Sequence, residues 1–128
     1  MKNLFICTLV LFSILFVACN SSNGSVNVQS IKISEIGKLK IDHKDLVILD
    51  VRTPKEISNG KIDNDALELD FYSDNFEEEL NKMDKSKTYL VYCKSGGRSS
   101  QAIQSMSKSG FTNLFNLEGG FQAWARNN

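Results

Sequence analysis

This 128-residue chain has no excess charge of either sign, one histidine and few cysteines. Its 15 basic and 15 acidic residues cancel to a formal net charge of zero. That balance excludes a general pull toward nucleic acid or anionic lipid, so chemistry on anions must come from a local field. The one histidine, His43, lies in the polar stretch Ile41-Asp42-His43-Lys44-Asp45 and is expected at the surface. With no second histidine beside it there is no metal site to propose, and nothing in the chain implies a cofactor. Internal repeats, low-complexity tracts and a second linker are missing, and the length suits one domain rather than two. Apolar content of 41% and charged content of 23% are ordinary for a globular domain.

The three cysteines divide by position. Cys7 falls in an apolar run, Leu4 to Ala18, that follows the basic Lys2 and is broken only by Thr8 and Ser13. The run is too short for a stop-transfer helix and reads as a secretory signal over residues 1–18. Phe16-Val17-Ala18-Cys19 resembles a bacterial lipobox, with Phe16 where Leu is usual. The resemblance implies that Cys19 becomes the lipidated first residue and that the domain is tethered to a membrane of the cell envelope, outside the cytoplasm. The polar run Asn20 to Ser25 follows, and residues 19–30 are expected to form a flexible tether. Cys93 is then the one free thiol of the mature domain, which excludes an internal disulfide framework. An unpaired thiol in an oxidising compartment must be buried or used.

From about Ser30 the pattern alternates short apolar runs with helical ones. Leu46 to Val51 is a continuous apolar run of the kind buried on both faces of a sheet. Thr53-Pro54-Lys55-Glu56 starts a helix, with Thr53 as cap, Pro54 in the first turn and Glu56 closing a capping box, and Gly60 ends it. Ala66 to Asp70 is expected as a shorter strand. Asp74 and Glu77 form a second capping pair, with Phe76, Leu80 and Met83 on one helical face. Thr88 to Tyr92 is a strand ending at Cys93. Arg98 to Ser109 is a helix with Ala102, Ile103 and Met106 facing inward and Gly110 as its stop. Asn113 to Leu117 is a last strand, and Phe121 to Arg126 a closing helix with Trp124 packed inward. Such alternation predicts an α/β fold with a parallel sheet flanked by helices, and sites in these sheets form beyond the carboxyl ends of the strands. Cys93 occupies that place.

The chemistry concentrates in Tyr92-Cys93-Lys94-Ser95-Gly96-Gly97-Arg98-Ser99-Ser100. A strand delivers a thiol into a glycine-containing loop, and a helix begins where the loop ends. Successive amides in such a loop form an anion-binding nest, and the helix N-terminus adds roughly half a positive charge. Lys94 and Arg98 add full charges. Each of these favours a thiolate over a thiol at Cys93. Gly96 and Gly97 permit backbone angles and close approach that a side chain would block. A cysteine that merely packs at a strand end is the alternative, and the glycine pair and the arginine argue against it.

Cys93-Lys94-Ser95-Gly96-Gly97-Arg98-Ser99 resembles the rhodanese active-site loop, Cys-x-x-Gly-x-Arg-Ser. Leu49-Asp50-Val51-Arg52-Thr53-Pro54-Lys55-Glu56 is similar to that family's Asp-Val-Arg segment. Gly60-Lys61-Ile62 is similar to its Gly-His-Ile, with Lys61 in place of the histidine and Asn64 where glycine is frequent. Leu117 to Trp124 is similar to its closing Gly-Gly-Phe-x-x-Trp. The likeness runs from about Ile31 to Arg126, and residues 31–128 are taken as the domain. It implies a three-layer fold around a central parallel sheet of about five short strands. It also implies a sulfurtransferase in which Cys93 takes the outer sulfur of an anionic donor such as thiosulfate and passes it, from a persulfide, to a thiol or cyanide-like acceptor. The amides of Lys94, Ser95, Gly96, Gly97 and Arg98 would hold the anion. Arg98 either touches the anion or braces the loop by pairing with an acid such as Asp50. Asp50 and Arg52 read best as an ion pair that orders the neighbouring loops. A monomer is the default. The rivals are a non-catalytic binding or sulfur-carrier module and a cysteine-dependent phosphatase or arsenate reductase. Low-molecular-weight and dual-specificity phosphatases have five residues between Cys and Arg, whereas this loop has four and suits sulfur better than phosphate.

Overall fold

The computed structural model describes residues 25–128. The signal over residues 1–18, the lipidation residue Cys19 and the tether up to residue 24 lie outside the described residues. Five strands form one sheet: β1 (Asn27–Ile31), β2 (Val47–Asp50), β3 (Leu67–Glu68), β4 (Thr88–Tyr92) and β5 (Asn113–Leu117). Their spatial order is β1-β5-β4-β2-β3, and every pairing is parallel. Helices α1 (Ile36–Asp42), α2 (Pro54–Ile57), α3 (Phe76–Lys82), α4 (Gly97–Lys108) and α5 (Gly120–Asn127) supply the crossovers and the closing segment.

β4 lies at the centre and is buried along its whole length, as a strand covered on both faces should be. Side chains alternate along it and so feed two cores. Tyr89, Val91 and Cys93 join Phe76 and Leu80 of α3 with Ala102, Ile103 and Met106 of α4. Leu90 and Tyr92 join Leu39 of α1 with Ile31, Ile48, Phe115 and Leu117. Each such fully buried large side chain contributes about 1.5–3 kcal/mol. The period-2 rule thus aims Cys93, one residue past the strand, at the face where α4 begins.

Several expectations need correction. The tether expected through residue 30, with a domain starting at 31, is too long, because Asn27 to Ser30 already form β1 and pair with Asn113 to Asn116. These residues are exposed and carry no apolar run, so the ladder to β5 orders them rather than their own side chains. The strand at Ala66 to Asp70 shrinks to Leu67–Glu68, an edge that pairs with β2. Asp74 does not cap α3. Its N-cap is Asn75, without a side-chain cap hydrogen bond, because a turn closed by the Phe76 amide on the Ser73 carbonyl at 3.1 Å carries the chain in. His43 is half-buried rather than free at the surface, with its ring 5.6 Å from that of Phe115. Trp124 is half-buried and stacks on Phe121 at 5.5 Å, outside both cores.

Candidate active site

The loop from Cys93 to Gly97 wraps its amides around the sulfur. Gly96 takes φ 113°, a left-handed conformation that a side chain would strain, and it is the N-cap of α4. From there its N–H donates to Cys93 Sγ at 3.0 Å. The Ser99 hydroxyl lies 3.5 Å from Sγ, one turn into the helix. Burial pushes the Cys93 thiol up, while the Ser99 side chain and the amides of Ser99, Gly96 and Ser95 pull it down. The donors win, and the thiol sits below its ordinary value. Cys93 is 1% exposed, whereas Lys94, Ser95 and Gly97 are exposed beside it.

The carbonyl side of the loop is held by the turn between β5 and α5. Phe121 N–H donates to the Cys93 carbonyl at 2.8 Å, and Gln122 N–H donates to that of Lys94 at 3.0 Å. With the Lys94 carbonyl tied down, the amide of the next residue, Ser95, faces the other way, toward sulfur. Gly120 has φ 53°, and a Cβ there would stand 2.4 Å from the Cys93 carbonyl oxygen. Glycine is therefore the residue that lets the two segments meet. Sequence reasoning missed this role; its signal was the glycine pair Gly119-Gly120 at a strand-to-helix junction.

Arg98 does not reach Asp50. Its two terminal nitrogens each lie 2.7 Å from a Glu56 carboxylate oxygen, a bidentate pair linking α4 to α2. The exposed Tyr72 ring lies 5.5 Å from the guanidinium. Glu56 was legible as the capping residue of α2, and it does close that box on Thr53. The ion pair was not legible, because Glu56 and Arg98 meet only across the fold. Arg98's hydrogen bonds with Glu56 hold it well above the usual arginine range. They hold the Glu56 carboxyl down at about 2. With both terminal nitrogens on Glu56, Arg98 ties the start of α4 to α2.

Asp50 and Arg52 form a buried pair, Nη2 to Oδ2 at 2.7 Å, with side chains 0% and 2% exposed. The Tyr92 hydroxyl donates to the same Asp50 carboxylate at 2.5 Å. Arg52 also donates to the Gly60 carbonyl at 2.8 Å and lies 4.0 Å from the Phe121 ring. The network ties β2, β4, the loop after α2 and the start of α5 into the frame around Cys93. Lys61, the departure from Gly-His-Ile, donates to the carbonyls of Asn64 and Ala66, both at 3.1 Å, and to Glu68 at 2.7 Å. A groove of about 440 Å³ beside the loop is lined by Arg52, Glu56, Lys94, Phe121, Gln122 and Arg126, among others. A concavity of about 450 Å³ lies at the other end of the sheet, against Val47, Ile48 and Lys87, away from the thiol.

A parallel sheet whose central strand presents one thiol to a cradle of backbone amides defines a cysteine-loop α/β domain. Residues 32–127 match the family of the Rhodanese-like domain, and the chain belongs to that family. A sulfurtransferase of Allochromatium vinosum is 34% identical over 99 residues, covering 77% of this chain and 90% of that one. Thiosulfate sulfurtransferase GlpE of Coxiella burnetii is 36% identical over 84 residues, covering 66% of this chain and 76% of that one. Among solved structures, a rhodanese-related protein of Thermoplasma volcanium superposes with a TM-score of 0.67 at 27% identity. It covers 78% of this chain and 93% of its own. The five-stranded parallel sheet flanked by helices is the architecture this family shares.

Proposed function

We propose that this protein is a sulfurtransferase in which Cys93 carries the sulfur as a persulfide, with thiosulfate or a similar sulfane donor. The Cys93 thiolate attacks the donor's outer sulfur. A sulfur–sulfur bond forms, and sulfite leaves with the electron pair of the bond that breaks. A thiol or cyanide-like acceptor then attacks the outer sulfur of the persulfide, and the Cys93 thiolate departs as it was. The single observation that carries the reading is the Gly96 amide on Cys93 Sγ at 3.0 Å, within a loop whose other amides and Ser99 favour the thiolate. The same donors suit the negative outer sulfur of a persulfide. A residue 1% exposed favours a donor whose reacting atom is small and terminal, as a sulfane sulfur is. Lys94 to Arg98 would face the donor's oxygens with backbone amides, with Asp50 and Arg52 supporting the frame. We further propose that Cys19 is acylated and that the domain works in the cell envelope, tethered to a membrane and monomeric.

Mass spectrometry after incubation with thiosulfate tests the mechanism. The expected result is a gain of one sulfur on Cys93 and loss of both adduct and sulfur transfer in Cys93→Ala, with circular dichroism unchanged. No adduct on the intact protein would favour a binding module. Phosphate-ester hydrolysis that depends on Cys93 would favour a phosphatase.

A further inference from the structure

The Ser99 hydroxyl is fully buried and has one proton, with three atoms competing for it. The Asn116 Oδ1 lies at 2.6 Å, the Gly96 carbonyl at 3.0 Å and Cys93 Sγ at 3.5 Å. A carbonyl, an amide oxygen and a thiolate only accept. The Gly96 carbonyl already receives the Ser100 N–H at 3.1 Å, so it does not depend on the hydroxyl.

The arrangement is consistent while Cys93 is a thiol. S–H then donates to Ser99 Oγ, and the hydroxyl proton goes outward to Asn116. It is not consistent once the sulfur ionises. The hydroxyl must then turn its proton to the thiolate, which leaves the lone pairs of Ser99 facing those of Asn116 Oδ1. An asparagine amide has nearly the same outline either way round, so a half-turn replaces the acceptor by an N–H donor in the same space. The chain then runs inward, from Asn116 N–H to Ser99 and from Ser99 O–H to sulfur, and each bond polarises the next. β5 sets the asparagine in place, since Asn116 is in register with Val91 of β4, two residues before Cys93.

We infer that Asn116 is a positioning residue for Cys93, its amide reversing as the sulfur ionises so that the Ser99 proton is delivered to the thiolate. This rests on the reading of Cys93 as the nucleophile. The charged groups around the sulfur are Arg98 of α4 and its Glu56 partner on α2, with Tyr72 of the loop before α3 stacked on Arg98 and Lys94 pointing to solvent. β4 adds Tyr92, which is committed to Asp50, and the α5 turn adds backbone.

The test is a double-mutant cycle read by the ultraviolet absorbance of the Cys93 thiolate against pH. Asn116→Asp keeps the shape but can only accept, so it should raise the midpoint in the parent protein. In a Ser99→Ala background the new charge still acts through space, but the hydroxyl is gone. The shift should therefore be larger with Ser99 present, by about 0.5 pH unit or more. Asn116→Ala, run through the same cycle, should also show a nonzero coupling, which covers the case in which the aspartate variant does not fold. Equal shifts in both backgrounds would overturn the inference while leaving Cys93 a thiolate former. A midpoint of the unmutated protein near the free-thiol value of about 8.5 would instead strike the proposed function.

Discussion

Glu56 does two jobs with one carboxylate. It closes the capping box on Thr53, accepting from the Thr53 amide at 3.0 Å, and it grips Arg98 at the start of α4. The Arg98 hydrogen bonds lower it most, against burial and with help from Thr53, to about 2 from an ordinary 4.5. A depressed carboxylate stabilises the fold fully above its unfolded value and loses that contribution as pH falls through its folded one. Glu56 therefore supports an acid limb of stability between about pH 4.5 and 2. In Glu56→Gln the amide still reaches back to the cap, so the box survives and the charge does not. Denaturation followed across that pH range should show a flatter acid limb for Glu56→Gln. Glu56→Ala should be weaker still by about 1 kcal/mol, because the Thr53 amide loses its acceptor. An unchanged acid limb in Glu56→Gln would mean that the pair with Arg98 contributes nothing. Half of this residue was readable from spacing, since Thr53 and Glu56 are three apart. The other half was not, because Arg98 lies 42 positions away in the chain.

The elements that could be read were those whose own side chains decide their state. β4 and β5 keep their expected bounds, Thr88–Tyr92 and Asn113–Leu117, because β4 is buried at every residue and β5 at Leu114, Phe115 and Leu117. α2 begins at Pro54 because cap, proline and capping box agree locally. β1 and α1 were not read. β1 is exposed on four of its five residues, and Leu39 is the one buried residue of α1, so neither carries a periodic signal. The turn from β5 into α5 is the element that sets the site, and it depends on Gly120. Alanine there would force a Cβ to within 2.4 Å of the Cys93 carbonyl and hold φ at 53°, a strain of about 1–3 kcal/mol. Gly120→Ala should fold with a lower melting temperature and should release the Phe121 N–H from the Cys93 carbonyl. The expected consequence is a Cys93 that alkylates with a higher apparent pKa than in the parent. A parent-like alkylation profile would show that the turn does not shape the cradle.

For the molecule as a whole, the topology brings the site together at one end of the sheet. Cys93 comes from the end of β4, Arg52 and Glu56 from just past β2, and Gly120 from just past β5. Parallel strands make this unavoidable, since their carboxyl ends all point the same way. The proposed anchor belongs to this level too, because it decides where the domain sits rather than how it reacts. Cys19→Ala should move the protein from the membrane to the soluble fraction, with sulfur transfer in detergent-free assay retained. Unchanged membrane fractionation would count against acylation at Cys19. Residue order alone was enough for the fold class, the central strands and the thiol's place at the end of one of them, because burial and capping act over a few neighbouring residues. The partner of Arg98, the seat of Gly120 against the cysteine carbonyl and the approach of Asn116 to Ser99 came only with the folded chain. Each joins side chains or backbone from different crossovers, and no local periodicity encodes where two distant segments touch.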